Sequence, residues 1–295
     1  MAIKKTKKLA KHQPEAQARA ASQDSVLRAL PFGTASPLAR ASISRPLRII
    51  PVIDLKDGVV VRGVAGKRSE YRPLVSPLCQ SPEPLAVAQA LVNKFCRPEL
   101  YVADLDAIAG GEPAWSIYEQ LARCGPRLLV DAGIADVARA KALAEFRVDA
   151  TGGAGDASLS GVIAGLESVD SPRLLAELIA AVGRDRLIFS LDLQQGRSLT
   201  TAPAWRDKPP ATIAAIAVDA GVRRMIVLDL ADVGVGQGVS TLDLCRQLRL
   251  MHPHCELISG GGVRGPADLV AMSAAGCDAA LVASALHDGR IGNAE

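Results

Sequence analysis

The chain has 295 residues, of which 49% are hydrophobic but only 3% aromatic, and a net charge of +3. That charge is uneven: residues 1–46 carry nine basic side chains against Glu15 and Asp24, leaving 25 basic and 29 acidic residues in the rest, and a mildly acidic body excludes the basic face of a nucleic-acid binder. No stretch reaches the roughly 18 apolar residues of a membrane span, and six scattered cysteines without a Cys-x-x-Cys pair argue for reduced, mostly buried thiols in a cytoplasmic protein rather than a disulfide framework or a zinc site.

Residues 1–46 mix Lys, Ala, Ser, Gln and Pro with no sustained apolar period, so they are expected to form a disordered basic extension ahead of a body at 47–295. The body opens on RIIPVIDLKDGVVVRGVAG, Arg48 to Gly66. Its apolar run stops on Asp54, a polar turn Lys56-Asp57-Gly58 follows, and a second apolar run begins. Continuous apolarity is what a parallel strand buried on both faces requires, and the C-terminal ends of such strands display the chemistry of α/β proteins. Further short apolar runs end near Asp104, Asp131, Gly165, Asp192, Asp229, Ser259 and Ser284. Amphipathic stretches at 84–95, 114–123, 136–146, 172–182, 211–220, 240–251 and 266–275 separate them and start near Pro, Ser or Asp, as helices do. Eight strands alternating with helices predict a single α/β domain, a (β/α)8 TIM barrel. Two irregularities stand out. Residues 149–158 are glycine-rich, reading as a mobile loop, with a phosphate loop as the alternative. Only eleven residues follow Ser284, so the eighth helix is short or missing, leaving a seam beside the first strand that the tail, or a second copy in a homo-oligomer, would cover.

The second half repeats the first. Val52-Ile-Asp54-Leu-Lys-Asp-Gly58 is echoed by Ser190-Leu-Asp192-Leu-Gln-Gln-Gly196, Tyr101-Val-Ala-Asp104-Leu by Ile226-Val-Leu-Asp229-Leu, Val130-Asp-Ala-Gly133-Ile by Ser259-Gly-Gly-Gly262-Val, and Val162-Ile-Ala-Gly165-Leu by Leu281-Val-Ala-Ser284-Ala. Four strand ends recurring in the same order imply two half-barrels related by an approximate twofold axis, with paired sites on one rim.

Asp54 and Asp192 end strands one and five, opposite one another across an eight-stranded rim, where two carboxyl groups can flank one substrate as acid and base. Asp104 and Asp229 form a second symmetric pair, read as ordering loop N–H groups or orienting substrate. Gly260, Gly261 and Gly262 let backbone amides approach an anion with no Cβ in the way, and Ser284 adds a hydroxyl, at the strand-seven and strand-eight corner where barrels commonly hold phosphate. Gly133 and Gly165 occupy the symmetry-related corner, but Asp131 beside them repels a second phosphate unless it is paired. His252-Pro253-His254 reads as a solvated loop rather than a metal site, and Trp115 and Trp205 as packing residues. No metal and no organic cofactor are expected.

The segment VIDLKDGVVVRG, together with Ser259-Gly-Gly-Gly262, resembles the histidine-biosynthesis isomerase and cyclase superfamily. It is most similar to the isomerase branch, which rearranges phosphoribosylformimino-5-aminoimidazole carboxamide ribotide; the cyclase usually has Cys-Leu-Asp at 52–54. The resemblance runs in pieces from about Leu47 to the end. It implies an Amadori-type aldose-to-ketose isomerisation of a phosphorylated aminosugar or aminoimidazole ribotide, with Asp54 as general base and Asp192 as general acid. The chain departs from the isomerase pattern at Asp131 and Ser284, usually glycines, at Leu228, usually Thr, and at Gln194 and Gln195, where a basic or hydroxyl residue is usual. Ile163 to Ser168 and Leu228 to Gly234 are more similar to divergent relatives associated with tetrahydromethanopterin-linked one-carbon metabolism, which leaves another phosphorylated metabolite, or a non-catalytic phosphometabolite-binding role, as alternatives.

Overall fold

A computed structural model describes residues 46–96, 99–148 and 157–292; the expected tail and most of the glycine-rich stretch lie outside the described residues. Eight parallel strands form the barrel: β1 (Arg48–Lys56), β2 (Glu99–Asp104), β3 (Arg127–Asp131), β4 (Gly161–Gly165), β5 (Leu187–Gln194), β6 (Arg224–Asp229), β7 (Glu256–Gly260) and β8 (Ala279–Val282). Each pairs with the next, and β8 returns to β1 with Arg48 opposite Ala279 and Ile50 opposite Leu281. Closure leaves no unpaired edge.

Outside lie helices α1 (Pro84–Phe95), α2 (Trp115–Arg123), α3 (Val137–Glu145), α4 (Pro172–Val182), α5 (Pro210–Asp219), α6 (Leu242–Met251) and α7 (Pro266–Ala274). Their starts follow local chemistry. Asp136 accepts from the Arg139 N–H at 2.8 Å and Ser171 from the Leu174 N–H at 3.2 Å, and prolines open α1, α4, α5 and α7, where a missing N–H costs nothing. A one-turn helix, Ser284–His287, stands where an eighth would.

The strands are apolar on both faces because each face meets a different core. Ile50, Leu129, Ile163, Ile188, Ile226, Ile258 and Leu281 fill the lumen, while Ile53, Leu128, Val130, Phe189, Val227 and Leu257 pack outward with the helices. The lumen layer is a solid floor, each fully buried aliphatic side chain contributing about 1.5–3 kcal/mol. Side chains alternate along a strand. The parity that sends Ile50, Leu129 and Ile188 inward therefore also sends Asp54, Asp131 and Asp192 inward, one layer or two above that floor. Asp104 and Asp229 have the opposite parity.

Three strand ends differ from expectation. β1 continues past Asp54 to Lys56 and turns back into an antiparallel strand, Val59–Arg62. β5 continues past Asp192 to Gln194 and pairs with Arg197–Ser198. β8 stops at Val282, two residues before Ser284. The two hairpins are twins: φ is 52° and 77° at Asp57 and Gly58, and 54° and 76° at Gln195 and Gly196, the left-handed pair of a type I′ turn. The repeated Asp-Leu-x-x-Gly is thus one supersecondary unit used twice.

Only three of the six thiols are buried; Cys79 and Cys124 are half-buried and Cys96 is exposed. Trp205 is fully buried and donates its indole N–H to the Val169 carbonyl at 2.8 Å, while Trp115 stacks on Phe146. His252-Pro253-His254 forms a turn leading into β7. Among the described residues no helix is long and apolar enough to cross a membrane.

Candidate active site

A cavity opens on the lumen at the C-terminal ends of the strands. Its wall includes Asp54, Asp131, Asp192, Gly261, Gly262 and Ser284, so the structure brings together both members of the aspartate pair and half of the glycine–serine set. It also includes Arg68, Tyr71, Tyr101, Glu167 and Arg290.

Burial drives the electrostatics. It pushes Asp54 up to about 7, against a lowering pull from Arg68. Asp192 is pushed up to about 8, again by burial first; the Ser190 hydroxyl pulls the other way, and Asp131 and Glu167 add repulsion. The two carboxyls are held differently. Asp192 accepts from the Ser190 hydroxyl at 2.6 Å and from the Leu166 N–H at 3.2 Å, which fixes its rotamer. The Asp54 carboxyl takes no hydrogen bond among the described residues and faces the cavity with Tyr71 and Arg68 near it. A β-carbon at Gly165 would sit 3.1 Å from Asp192 Oδ2 and 4.0 Å from Asp131 Oδ2. Gly165 thus clears space for the two carboxylates.

Asp131 is likewise pushed up to about 7, by burial first. It accepts from the Gly133 N–H at 3.2 Å and at longer range, 3.4 Å, from the Tyr101 hydroxyl. Glu167, at the end of β4, is paired with Arg68 at 2.6 Å, an ion pair that spans the mouth from the first loop to the fourth. Loop one is also tied to the loop after β6: Ala65 N–H donates to the Val233 carbonyl at 2.7 Å, and a β-carbon at Gly234 would collide with the Gly63 carbonyl.

The remaining expected site residues lie elsewhere. Asp104 is buried and accepts from the N–H of Ala107 (3.1 Å), the N–H of Ala114 (2.9 Å) and the Tyr118 hydroxyl (2.5 Å). Asp229 accepts from the N–H groups of Gln195, Gly196 and Ala231. Both point away from the lumen, and their oxygens are occupied in holding loops. Gly133, with φ 61°, is a close-approach glycine whose β-carbon would lie 2.6 Å from Ile108 Cα, and a β-carbon on Gly260 would lie 2.8 Å from Leu281; neither lines the cavity. Ser259 is buried, bonded to Thr241 and to the Val227 carbonyl. Gly261 and Gly262 have φ of 81° and 72°, a conformation glycine adopts without strain. They turn the chain at the corner beside Ser284 and the Arg290 guanidinium. His287 beneath that corner bonds Ser76 at 3.0 Å, and burial lowers it to about 4, so it is neutral. Among the described residues no group of three His, Cys, Asp or Glu side chains could hold a metal ion.

Arg68, Tyr71 and Arg290 were not foreseen from sequence. All three come from loops, where no hydrophobic period reports which way a side chain faces.

The profile of the histidine biosynthesis protein family matches residues 48–292. The chain is 30% identical to an uncharacterized protein of Methanocaldococcus jannaschii, covering 82% of this chain and 94% of that one. It is 29% identical to a Thermus thermophilus protein and 30% identical to a Deinococcus radiodurans protein, over 83% of this chain and 96% and 95% of theirs. Both are named 1-(5-phosphoribosyl)-5-((5-phosphoribosylamino)methylideneamino)imidazole-4-carboxamide isomerase.

Proposed function

Because the chain belongs to the histidine biosynthesis protein family, and because two aspartates, Asp192 buried and Asp54 half-buried, face one cavity from opposite halves of its barrel, we propose that it is an Amadori-type isomerase acting on a phosphorylated aminoaldose. The observation that carries this reading is the placement of those aspartates: both line one cavity from opposite halves, both are raised by burial toward neutrality, to about 7 at Asp54 and about 8 at Asp192, and only Asp192 is held, by the Ser190 hydroxyl and the Leu166 N–H. Near neutral pH the first is substantially ionised and the second is mostly protonated. Environments that push two carboxyls apart in this way mark a base and an acid.

In this mechanism Asp192 gives its proton to the ring oxygen as the C1–O bond breaks, leaving a protonated imine at C1. Asp54 then removes the proton from C2. The C2–H electron pair becomes the C1=C2 bond, and the imine pair moves to nitrogen, giving an enaminol. Loss of the C2 hydroxyl proton and proton delivery to C1 complete a 1-amino-1-deoxyketose. Atoms and electrons balance with no external oxidant or reductant. Gly261, Gly262 and Ser284, with Arg290 beside them, hold a phosphate at one end of the cavity; a left-handed glycine turn that brings main chain to the cavity wall, a hydroxyl and a guanidinium shared with Asp288 are the chemistry an anion needs.

A second reading is a divergent isomerase of the same mechanism on another phosphorylated metabolite. It is favoured by Asp131, a carboxylate where a phosphate of the relatives' substrate, which bears two phosphoribosyl groups by name, would have to sit, and by apolar Leu228 in the cavity wall. Expression in a bacterial strain lacking the histidine-pathway isomerase separates the two: growth without histidine that is lost in Asp54→Asn supports the first, and no growth from well-expressed protein supports the second. A non-catalytic role requires that Asp54→Asn and Asp192→Asn leave every cellular phenotype of the gene intact.

A further inference from the structure

The two halves of the barrel carry the same corner twice, one with a carboxylate and one without. β3 pairs with β2 so that Asp131 lies opposite Ala103, and β7 pairs with β6 so that Gly260 lies opposite Leu228. Ala103 and Leu228 each precede a loop-holding aspartate, so Asp131 is the twofold mate of Gly260, and Ala132 and Gly133 are the mates of Gly261 and Gly262. In one half the corner is three glycines, Ser284 and a nearby Arg290, which is itself paired with Asp288 at 2.9 Å. In the other it is Asp131 with Glu167 beyond β4; Arg68 is engaged with Glu167 at 2.6 Å, and Arg139, whose guanidinium reaches the Ala132 carbonyl at 3.3 Å, is held by the carbonyls of Ala107 and Gly111. Both corners open into the same cavity.

We propose that Asp131 is a specificity-determining residue: it restricts the cavity to substrates with a single phosphate, seated at the glycine corner, whose other end presents hydrogen-bond donors, hydroxyl or amine, to Asp131. The inference rests on the reading of Gly261, Gly262 and Ser284 as the phosphate corner and takes the second of the two substrate readings above, since the relatives' named substrate bears two phosphoribosyl groups. Its physical basis is that above about pH 7, where the half-buried Asp131 is ionised, it repels a phosphate dianion brought beside it in a cavity partly walled by Leu105, Ile108 and Tyr101. The same carboxylate accepts hydrogen bonds from a sugar hydroxyl or an ammonium, and those to an ionised acceptor are the stronger kind. The half-barrel twin shows what the corner looks like without that group: glycines, and no negative charge at the position of Asp131.

The test is calorimetric titration of the purified full-length chain with three probes: inorganic phosphate, ribulose 5-phosphate and ribulose 1,5-bisphosphate. The expected result is that wild type binds the monophosphate at least as tightly as the bisphosphate. Asp131→Gly should tighten the bisphosphate by tenfold or more while moving the monophosphate less than threefold. Asp131→Asn, which keeps the shape and removes the charge, guards against a folding artefact and should shift the ratio in the same direction. Inorganic phosphate should lose affinity in Gly261→Leu. If Gly261→Leu binds inorganic phosphate as wild type does, the phosphate corner is wrong and the inference falls with it. If phosphate binding is lost in Gly261→Leu but neither Asp131 variant changes the ratio of the two sugar phosphates, the inference alone is overturned.

Discussion

Asp54 and Asp192 should titrate about three and about four units above an ordinary aspartate, and that shift should shape the rate. With values of about 7 and 8, the form holding Asp54 ionised and Asp192 protonated makes up about 60% of molecules at pH 7.5 but about 9% at pH 6 and again at pH 9. Below pH 7 the base is lost by protonation; above pH 8 the acid is lost by ionisation. Turnover should therefore fall about six- to sevenfold on each side of a maximum near pH 7.5. The limbs belong to different residues. Asp192→Asn should remove the alkaline limb and lower kcat by roughly 10²–10⁴-fold, and Asp54→Asn should do the same to the acid limb. Carboxyl carbon NMR of protein labelled at aspartate checks the ionisations without any substrate: of two inflections near 7, from Asp54 and Asp131, one should vanish in Asp54→Asn, and the one near 8 should vanish in Asp192→Asn. Inflections for both residues near 4, or a rate profile flat from pH 6 to 9, would refute the reasoning.

Buried carboxyls of this kind weigh on the fold. The folded Asp192 keeps a proton that the unfolded chain releases above about 4, so wild-type stability falls as pH rises toward 8. Denaturant titration should show the advantage of Asp192→Asn growing by up to about 4 kcal/mol between pH 5 and pH 8. Asp104→Asn should lower stability by about 1–3 kcal/mol through mismatched partners at Ala107, Ala114 and Tyr118 while leaving kcat of the folded fraction within about twofold of wild type, since Asp104 faces away from the cavity. Gly234→Ala forces a β-carbon against the Gly63 carbonyl at φ 71°; kcat/KM should fall as the tie between the first and sixth loops shifts, with a stability loss of about 1–2 kcal/mol.

The barrel was legible because its signals are local. Apolar runs of strand length, capped amphipathic helices and the fourfold recurrence of strand ends all lie in short windows. What lay beyond reach followed from the burial of both strand faces. With Ile49 and Ile50, or Val130 and Leu129, equally apolar, alternation carries no contrast, so it did not tell the inward aspartates 54, 131 and 192 from the outward 104 and 229; the repeat of strand ends and the resemblance were what set Asp54 and Asp192 apart from Asp104 and Asp229. Asp54 and Asp192 looked like strand ends because a charge usually interrupts a buried run. The Asp57-Gly58 pair three residues on from Asp54 was the better sign, since that dipeptide favours a type I′ turn and hence a strand continuing into a hairpin. The glycines could not be sorted for a similar reason: Gly261 and Gly262 line the cavity, yet a β-carbon on Gly262 would meet the Gly238 carbonyl at 2.3 Å and one on Gly261 the Asp229 carbonyl at 3.1 Å, so backbone packing requires them as it requires Gly133 and Gly260, and a glycine in a sequence announces a missing side chain without saying what fills the space. The Arg68–Glu167 pair joins residues 99 apart, a contact only the closed barrel creates.

The residue that divides the two corners also acts on the acid. Burial is the largest influence raising Asp192, and the charge on Asp131 is among those that add to it. A proton on Asp192 is therefore held partly because a second carboxyl stands on the same rim, four strand pairings from the phosphate corner. Removing the Asp131 charge should let Asp192 ionise more readily, and the alkaline limb of the rate profile should move to lower pH in Asp131→Asn while the acid limb, set by Asp54, stays in place. Selectivity at the far end of the cavity and acidity at its centre are thus coupled through one side chain. A drift of this corner from glycine to aspartate changes both together: it excludes a second phosphate and raises the group that must protonate the ring oxygen. An Asp131→Asn profile with the alkaline limb unmoved would separate them and leave burial alone as the source of the acid's strength of hold.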